Sequence, residues 1–203
     1  MKPLMQREWL IDVLEASPSV VFTALLRSNV DLQLEGWIGA ALAALQLGSF
    51  YYLRFQHNPI MLGINVHLLL ITPTIMVAYW SGFSQLGHVL ETHSYQGVLI
   101  TVWMVGAILT VVADRGFIGV AGLSLSHRVK LSGILLSASA ASIFWGFARA
   151  ENPLVSVILP LIALFGLRRY LVARTYDRND LVGGIGLIGG SSAVAASADP
   201  GVL

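Results

Sequence analysis

Five apolar runs dominate this sequence, each close to the roughly 20 residues, at about 1.5 Å rise apiece, that a helix needs to cross a bilayer. The first is Gly36 to Leu53, broken by Gln46 and Ser49 and closed by Tyr51, Tyr52 and Arg54. Ile60 to Trp80 follows, holding Asn65, His67 and the triplet Thr72-Pro73-Thr74. Tyr95 to Ala113 carries Trp103 and no charge, and Val129 to Ala148 has Lys130 at its edge. The last, Pro153 to Val172, bears Arg168 and Arg169 near its end, where long basic side chains snorkel to the headgroups. In hydrocarbon every backbone amide must be satisfied within the segment, so these runs predict helices. The expected fold class is all-α, a polytopic transmembrane helix bundle.

Composition agrees. Of 203 residues, 56% are hydrophobic and only 11% charged, against about 25% charged in an ordinary globular domain. Most of the surface must therefore face something apolar, and the first expected partner is the lipid bilayer. A net charge of +1 gives no pull toward nucleic acid. With no cysteine there are no disulfides, thiolate metal sites, iron–sulfur clusters or cysteine nucleophiles.

The N-terminal region predicts a sixth element. From Pro3 to Ala16, Trp9, Leu10, Val13 and Leu14 repeat at helical spacing while Arg7, Glu8, Asp12 and Glu15 take the other side. Pro18 interrupts, and Val20 to Leu26 is apolar again, so residues 9–26 read as a short span or an interfacial helix. Glu8, Asp12 and Glu15 break the uninterrupted core of a secretory signal, and the mature chain is expected to begin where the sequence does. If residues 9–26 span, only Arg27 and Arg149 lie opposite all other Lys and Arg; if not, Lys2 and Arg7 join them. The positive-inside rule thus favours six elements with both termini cytoplasmic. Residues 1–180 form one membrane domain, and 181–203 a Gly/Ala/Ser-rich tail too poor in helix formers to span.

Polar groups at membrane depth are costly and normally face the bundle interior or a wet cavity. Candidates for a substrate path are Gln46, Asn65, His67, Thr72, Pro73 and Thr74. On one helix, Asn65 and Thr72 share a face nearly opposite that of His67 and Thr74, so they cannot all line one pore. His67 reads as a proton relay, a haem ligand or a packed histidine joining two helices. The last is favoured, because a haem usually needs a second deep axial ligand. His88, Glu91 and His93, in a connection expected to face outward, are candidates for a metal or pH-sensing site. Their order is neither H-E-x-x-H nor H-x-x-E-H, because Thr92 intervenes, and solvated loop residues are the default.

Pro73 and Pro160 lie inside spans and free backbone carbonyls, which the hydroxyls of Thr72 or Ser156 are placed to satisfy. Ala40, Ala44 and Gly48, and then Gly133, Ser137 and Ala141, recur every four residues. Such rows let helices approach closely, within the chain or between copies. No nucleophile–base pair, phosphate loop or paired catalytic carboxylates share a span, so a non-enzymatic role is expected and no cofactor is strongly implied.

One layout-level likeness adds to this. The opening Pro18-Ser19-Val20-Val21-Phe22, the long span closed by Tyr51-Tyr52-Leu53-Arg54-Phe55, and Lys130-Leu131-Ser132 opening a later span are its first elements. The turn Ala150-Glu151-Asn152-Pro153 and the ending Leu167-Arg168-Arg169-Tyr170 complete it. In these features the chain resembles the intracellular septation protein A family of small inner-membrane proteins, departing from it in the histidine-bearing connection and the Gly-rich tail. The resemblance implies an inner-membrane protein tied to envelope synthesis and division as a non-enzymatic partner. Three roles follow in order of expectation. They are a membrane subunit or scaffold with a protein partner or self-association, a small-solute or ion transporter, and a haem- or metal-dependent enzyme resting on His67, His88, His93 and His127.

Overall fold

The computed structural model describes residues 32–53, 58–152 and 154–175. The expected element at 9–26, the tail at 181–203 and the basic end of the Tyr51-to-Phe55 motif lie outside the described residues. Within them the structure is helical, with no strand, in six elements. These are α1 (Leu32–Leu53), α2 (Pro59–Trp80), α3 (Ser84–Thr92), α4 (Ser94–Val112), α5 (Leu125–Ala148) and α6 (Val155–Thr175). Four of them, α2, α4, α5 and α6, are long and apolar enough to cross a membrane. The chain is a multi-pass membrane helix bundle.

The sequence counted α1 as a fifth firm span. It is a helix of 22 residues, but it is not among the four. It starts earlier than expected and takes in Glu35, and Gln46, Ser49, Tyr51 and Tyr52 dilute its apolar character further.

Helix α2 is the centre of the arrangement. Asn58 caps it, its side-chain oxygen accepting from Ile60 N at 3.1 Å, and Pro59 occupies the first turn, where its missing N–H costs nothing. Gly36 of α1 meets Thr72 on one side. On the other, a Cβ at Gly63 would stand 2.7 Å from the Val102 Cα, so α2 and α4 cross backbone to backbone. Ala43, Ile60, Ile64, Leu68, Val102 and Leu135 close the core around this crossing.

The connection after α4 is more than a loop. Gly116 and Gly119 adopt φ of +61° and +75°, a conformation that side chains with a Cβ resist. The resulting bends turn Phe117 and Ile118 inward until both are fully buried. The Phe117 ring fills the space left by Gly106, where a Cβ would approach it to 2.8 Å. Ser132 of α5 accepts from Ile118 N at 3.2 Å, and Arg168 Nε of α6 donates to Ile118 O at 3.1 Å. Arg168 is thus turned inward to hold backbone rather than outward to the headgroups. This connection is also shorter than the span limits predict, because α5 begins at Leu125 rather than Val129 and carries Arg128 and Lys130 on its first turns.

A π-helical turn, Leu154–Ile158, leads into α6 and overlaps its first residues. In that register the Val155 carbonyl would pair with the nitrogen of Pro160, which has no hydrogen. The Trp145 indole of α5 donates to it instead, at 3.0 Å. The freed carbonyl is therefore satisfied by a neighbouring helix and not by Ser156, whose hydroxyl is buried without a partner. At Pro73, the hydroxyl donating to the preceding turn belongs to Thr74, bonded to Leu70 O at 2.7 Å, and not to Thr72.

Candidate functional site

His67 lies on the face of α2 that packs against α4. Gly97 makes room for it, since a Cβ there would fall 2.8 Å from the imidazole Cε1. Nε2 stands 2.9 Å from Ser94 O, and Nδ1 stands 3.1 Å from Thr101 Oγ1. A carbonyl only accepts, so Nε2 carries the hydrogen and Nδ1 of the neutral ring is left to accept. The Thr101 hydroxyl is also 3.0 Å from Gly97 O, so its one proton faces two acceptors. Both ring nitrogens are engaged, and the histidine ties two helices together.

Asn65 and Thr72 point to the other side of α2. Thr72 is buried against Gly36, and the antiparallel register that this contact sets puts Asn65 at the height of Ala43. Gln46 is buried on α1. Thr74 continues the His67 side of α2 but is exposed, so it lines neither seam. The candidates for a path are thereby divided between two seams, α1–α2 and α2–α4.

Asn65 is 0% exposed, and neither its amide nitrogen nor its oxygen has a partner. The same holds for the side-chain oxygen of buried Gln96 on α4. Buried polar groups without partners cost about 1–3 kcal/mol each, so an ordered water beside either residue would be strongly held.

Four polar residues of these seams were not singled out from the sequence. Thr101 and Ser94 were unremarkable within or beside an apolar run. Gln96 sits in the first turn of α4. Glu35, 3% exposed, fell one residue before the expected start of its span, and it lies within electrostatic reach of Tyr95.

The outward candidates occupy α3 and its junction with α4, not a loop. His88 is exposed. The Glu91 carboxylate accepts from the Tyr79 hydroxyl at 2.8 Å, and the His93 ring packs 5.7 Å from that of Phe147. Glu91 and His93 thus have different neighbours, and among the described residues no group of three His, Asp or Glu side chains is placed to hold a metal.

Of the small-residue rows, only Ala40 is buried. Ala44, Gly48, Ser137 and Ala141 are exposed, and a Cβ at Gly48 or Gly133 would meet nothing within 4 Å. The inward face of α5 is set by Ser132, Leu135, Ser139 and Gly146 instead. No described helix covers the outward part of these rows.

Charge is divided between the two ends of the bundle. Among the described residues, Arg115, Arg128, Lys130, Arg168, Arg169 and Arg174 share the end at which α5 begins and α6 finishes, with Asp114 alone opposing them. Glu35, Glu91 and Glu151 lie at the other end, where Arg149 stacks on Trp145 at 5.6 Å. Compared with known proteins, the chain matches no protein family, no curated protein and no solved structure.

Proposed function

We propose that this chain is a non-enzymatic integral membrane subunit or scaffold that packs against other transmembrane helices, its own or a partner's. The observation that carries the reading is the position of His67. The side chain best suited to chemistry at membrane depth has both nitrogens occupied in joining α2 to α4. Close backbone approach at Gly63 leaves little room beside it for a solute. The outward rows at Ala44 and Gly48 and at Gly133, Ser137 and Ala141 supply faces for association. The concentration of Arg and Lys at one end supports a cytoplasmic orientation for that end, with the protein in a bacterial inner membrane and both termini inside. An envelope-related assembly, as in the family it resembles, is the setting we assign.

The test is purification in mild detergent with and without Gly48→Leu and Ser137→Leu. The expected result is a stoichiometric assembly that the two substitutions dissociate while the melting temperature of the bundle holds. A monomer active in proteoliposome uptake would overturn the reading.

A second reading, a small-solute or ion transporter, is favoured by one observation: the fully buried Asn65 amide without partners. A path through the α1–α2 seam would hydrate it. In that case Asn65→Leu abolishes flux, whereas in a scaffold it leaves the assembly intact.

A further inference from the structure

A cavity opens at the basic end, between the start of α5 and the last turns of α6, with a volume of about 540 Å3. That is within the roughly 300–1,000 Å3 of small-molecule sites. Its rim is polar and cationic: Ser124, His127 and Lys130 come from the first turns of α5, and Arg174 from the end of α6. None of the described residues lining it is acidic. Ser124 caps α5 without a side-chain hydrogen bond to the first turn, and its hydroxyl lies 3.4 Å from His127 Nδ1. The first-turn amides and the helix dipole therefore add to the positive potential set by Lys130 and Arg174. Thr175 contributes wall rather than a donor, since its hydroxyl already donates to Leu171 O at 2.8 Å.

The walls are apolar. Leu131 and Leu171 line the cavity, and Ile134, one turn deeper along α5, is 41% exposed. Lys130 lies at the start of a span and Arg174 at the end of one, so both ammonium and guanidinium reach the headgroup level. A ligand that fits must be anionic where it meets the rim and apolar along Leu131 and Ile134. A soluble anion would use only the rim, and a neutral lipid would leave the cationic groups uncompensated.

We propose that this cavity is a binding site for an anionic phospholipid of the cytoplasmic leaflet. The phosphate sits between Lys130, Arg174 and the first turn of α5, and an acyl chain runs along Leu131 and Ile134. The choice of leaflet rests on the orientation proposed above; the site itself is independent of whether the bundle acts as a scaffold or a transporter.

The experiment is native mass spectrometry of the full chain released from nanodiscs of phosphatidylglycerol mixed with phosphatidylcholine. The wild type is expected to retain one phosphatidylglycerol in preference to phosphatidylcholine. Juxtamembrane basic side chains contribute about 1 kcal/mol apiece toward anionic lipid, so Lys130→Gln with Arg174→Gln should weaken retention about thirtyfold. Arg115→Gln with Arg169→Gln removes equal charge from the same end outside the cavity and should leave retention unchanged. Ile134→Trp fills the apolar wall without altering charge and should also expel the lipid. Far-UV circular dichroism and monodispersity certify each variant as folded. Equal loss in the Arg115/Arg169 control, or full retention in both the Lys130/Arg174 and Ile134 variants, overturns the proposal. So does displacement of the lipid by millimolar inorganic phosphate, which would make the rim a site for a free anion.

Discussion

His67 Nδ1 and Gly97 O compete for the single proton of the Thr101 hydroxyl, from 3.1 and 3.0 Å. The bond between α2 and α4 is therefore shared with one inside α4, and its contribution to stability should be moderate. Hydrogen bonds between membrane helices average about 0.6 kcal/mol in double-mutant cycles. His67→Leu alone should destabilise by about 1–3 kcal/mol, because it removes the bonds of both ring nitrogens. A cycle with Thr101→Val should return a coupling of roughly 0.5–1.5 kcal/mol in denaturant unfolding from detergent. Additive losses would mean that the two side chains do not interact.

A second prediction separates inward from outward glycines. At Gly63 the obstacle to a Cβ is the Val102 backbone, which no rotamer can move aside. Gly63→Ala should force α2 from α4 and lower stability by about 1–3 kcal/mol. Gly133 faces open space, so Gly133→Ala should raise the stability of the isolated chain by up to about 1 kcal/mol through helix propensity. Thermal unfolding of the two variants side by side should show shifts of opposite sign.

These contrasts show what the sequence could and could not convey. Hydropathy locates α2, α4, α5 and α6 to within a few residues, because a bilayer filters for length and absence of charge before any packing is considered. It does not say which side of a uniformly apolar helix faces inward. On α5 the regular row at Gly133, Ser137 and Ala141 was the visible pattern, yet Ser132 and Ser139 beside it are the buried ones. Small residues suit close helix contacts and lipid-facing surfaces alike, so periodicity leaves the two faces indistinguishable. For His67 the favoured reading as a helix-joining residue could be stated in advance, but its partners Ser94 and Thr101 lie on another helix and have no local signature. Phe117 and Ile118 were hidden by their context: a connection containing three glycines and Asp114-Arg115 looks solvated until Gly116 and Gly119 bend it inward.

That connection yields a third prediction. Ser132→Ala leaves the buried Ile118 N–H without an acceptor and should cost about 1–3 kcal/mol. Arg168→Met retains most of the stem but removes the donor to Ile118 O. Both should increase amide hydrogen exchange at residues 116–120 while α2 stays protected. Uniform acceleration across the bundle would instead mean that the segment has no separate stability.

Orientation can be read chemically because the chain lacks cysteine. Ser81, after α2, and Ser126, in the first turn of α5, are both exposed and lie at opposite ends of the bundle. In intact cells a membrane-impermeant maleimide should label Ser81→Cys and spare Ser126→Cys until the membrane is opened. The reverse pattern would invert the proposed topology.

The contacts of the inward-folded connection also bear on how the molecule is made. Gly119 lies beside Pro59, at the start of α2, and beside Arg168, near the end of α6. A ribosome delivers those two residues more than a hundred positions apart. The Ile118 carbonyl thus waits for its guanidinium until almost the whole bundle has been translated. A nascent chain stalled or cut before Arg168 would hold three complete spans, α2, α4 and α5, in the bilayer with this end of the bundle unsealed, and membrane quality control would have a chemical mark, one naked carbonyl, by which to distinguish it from the finished protein.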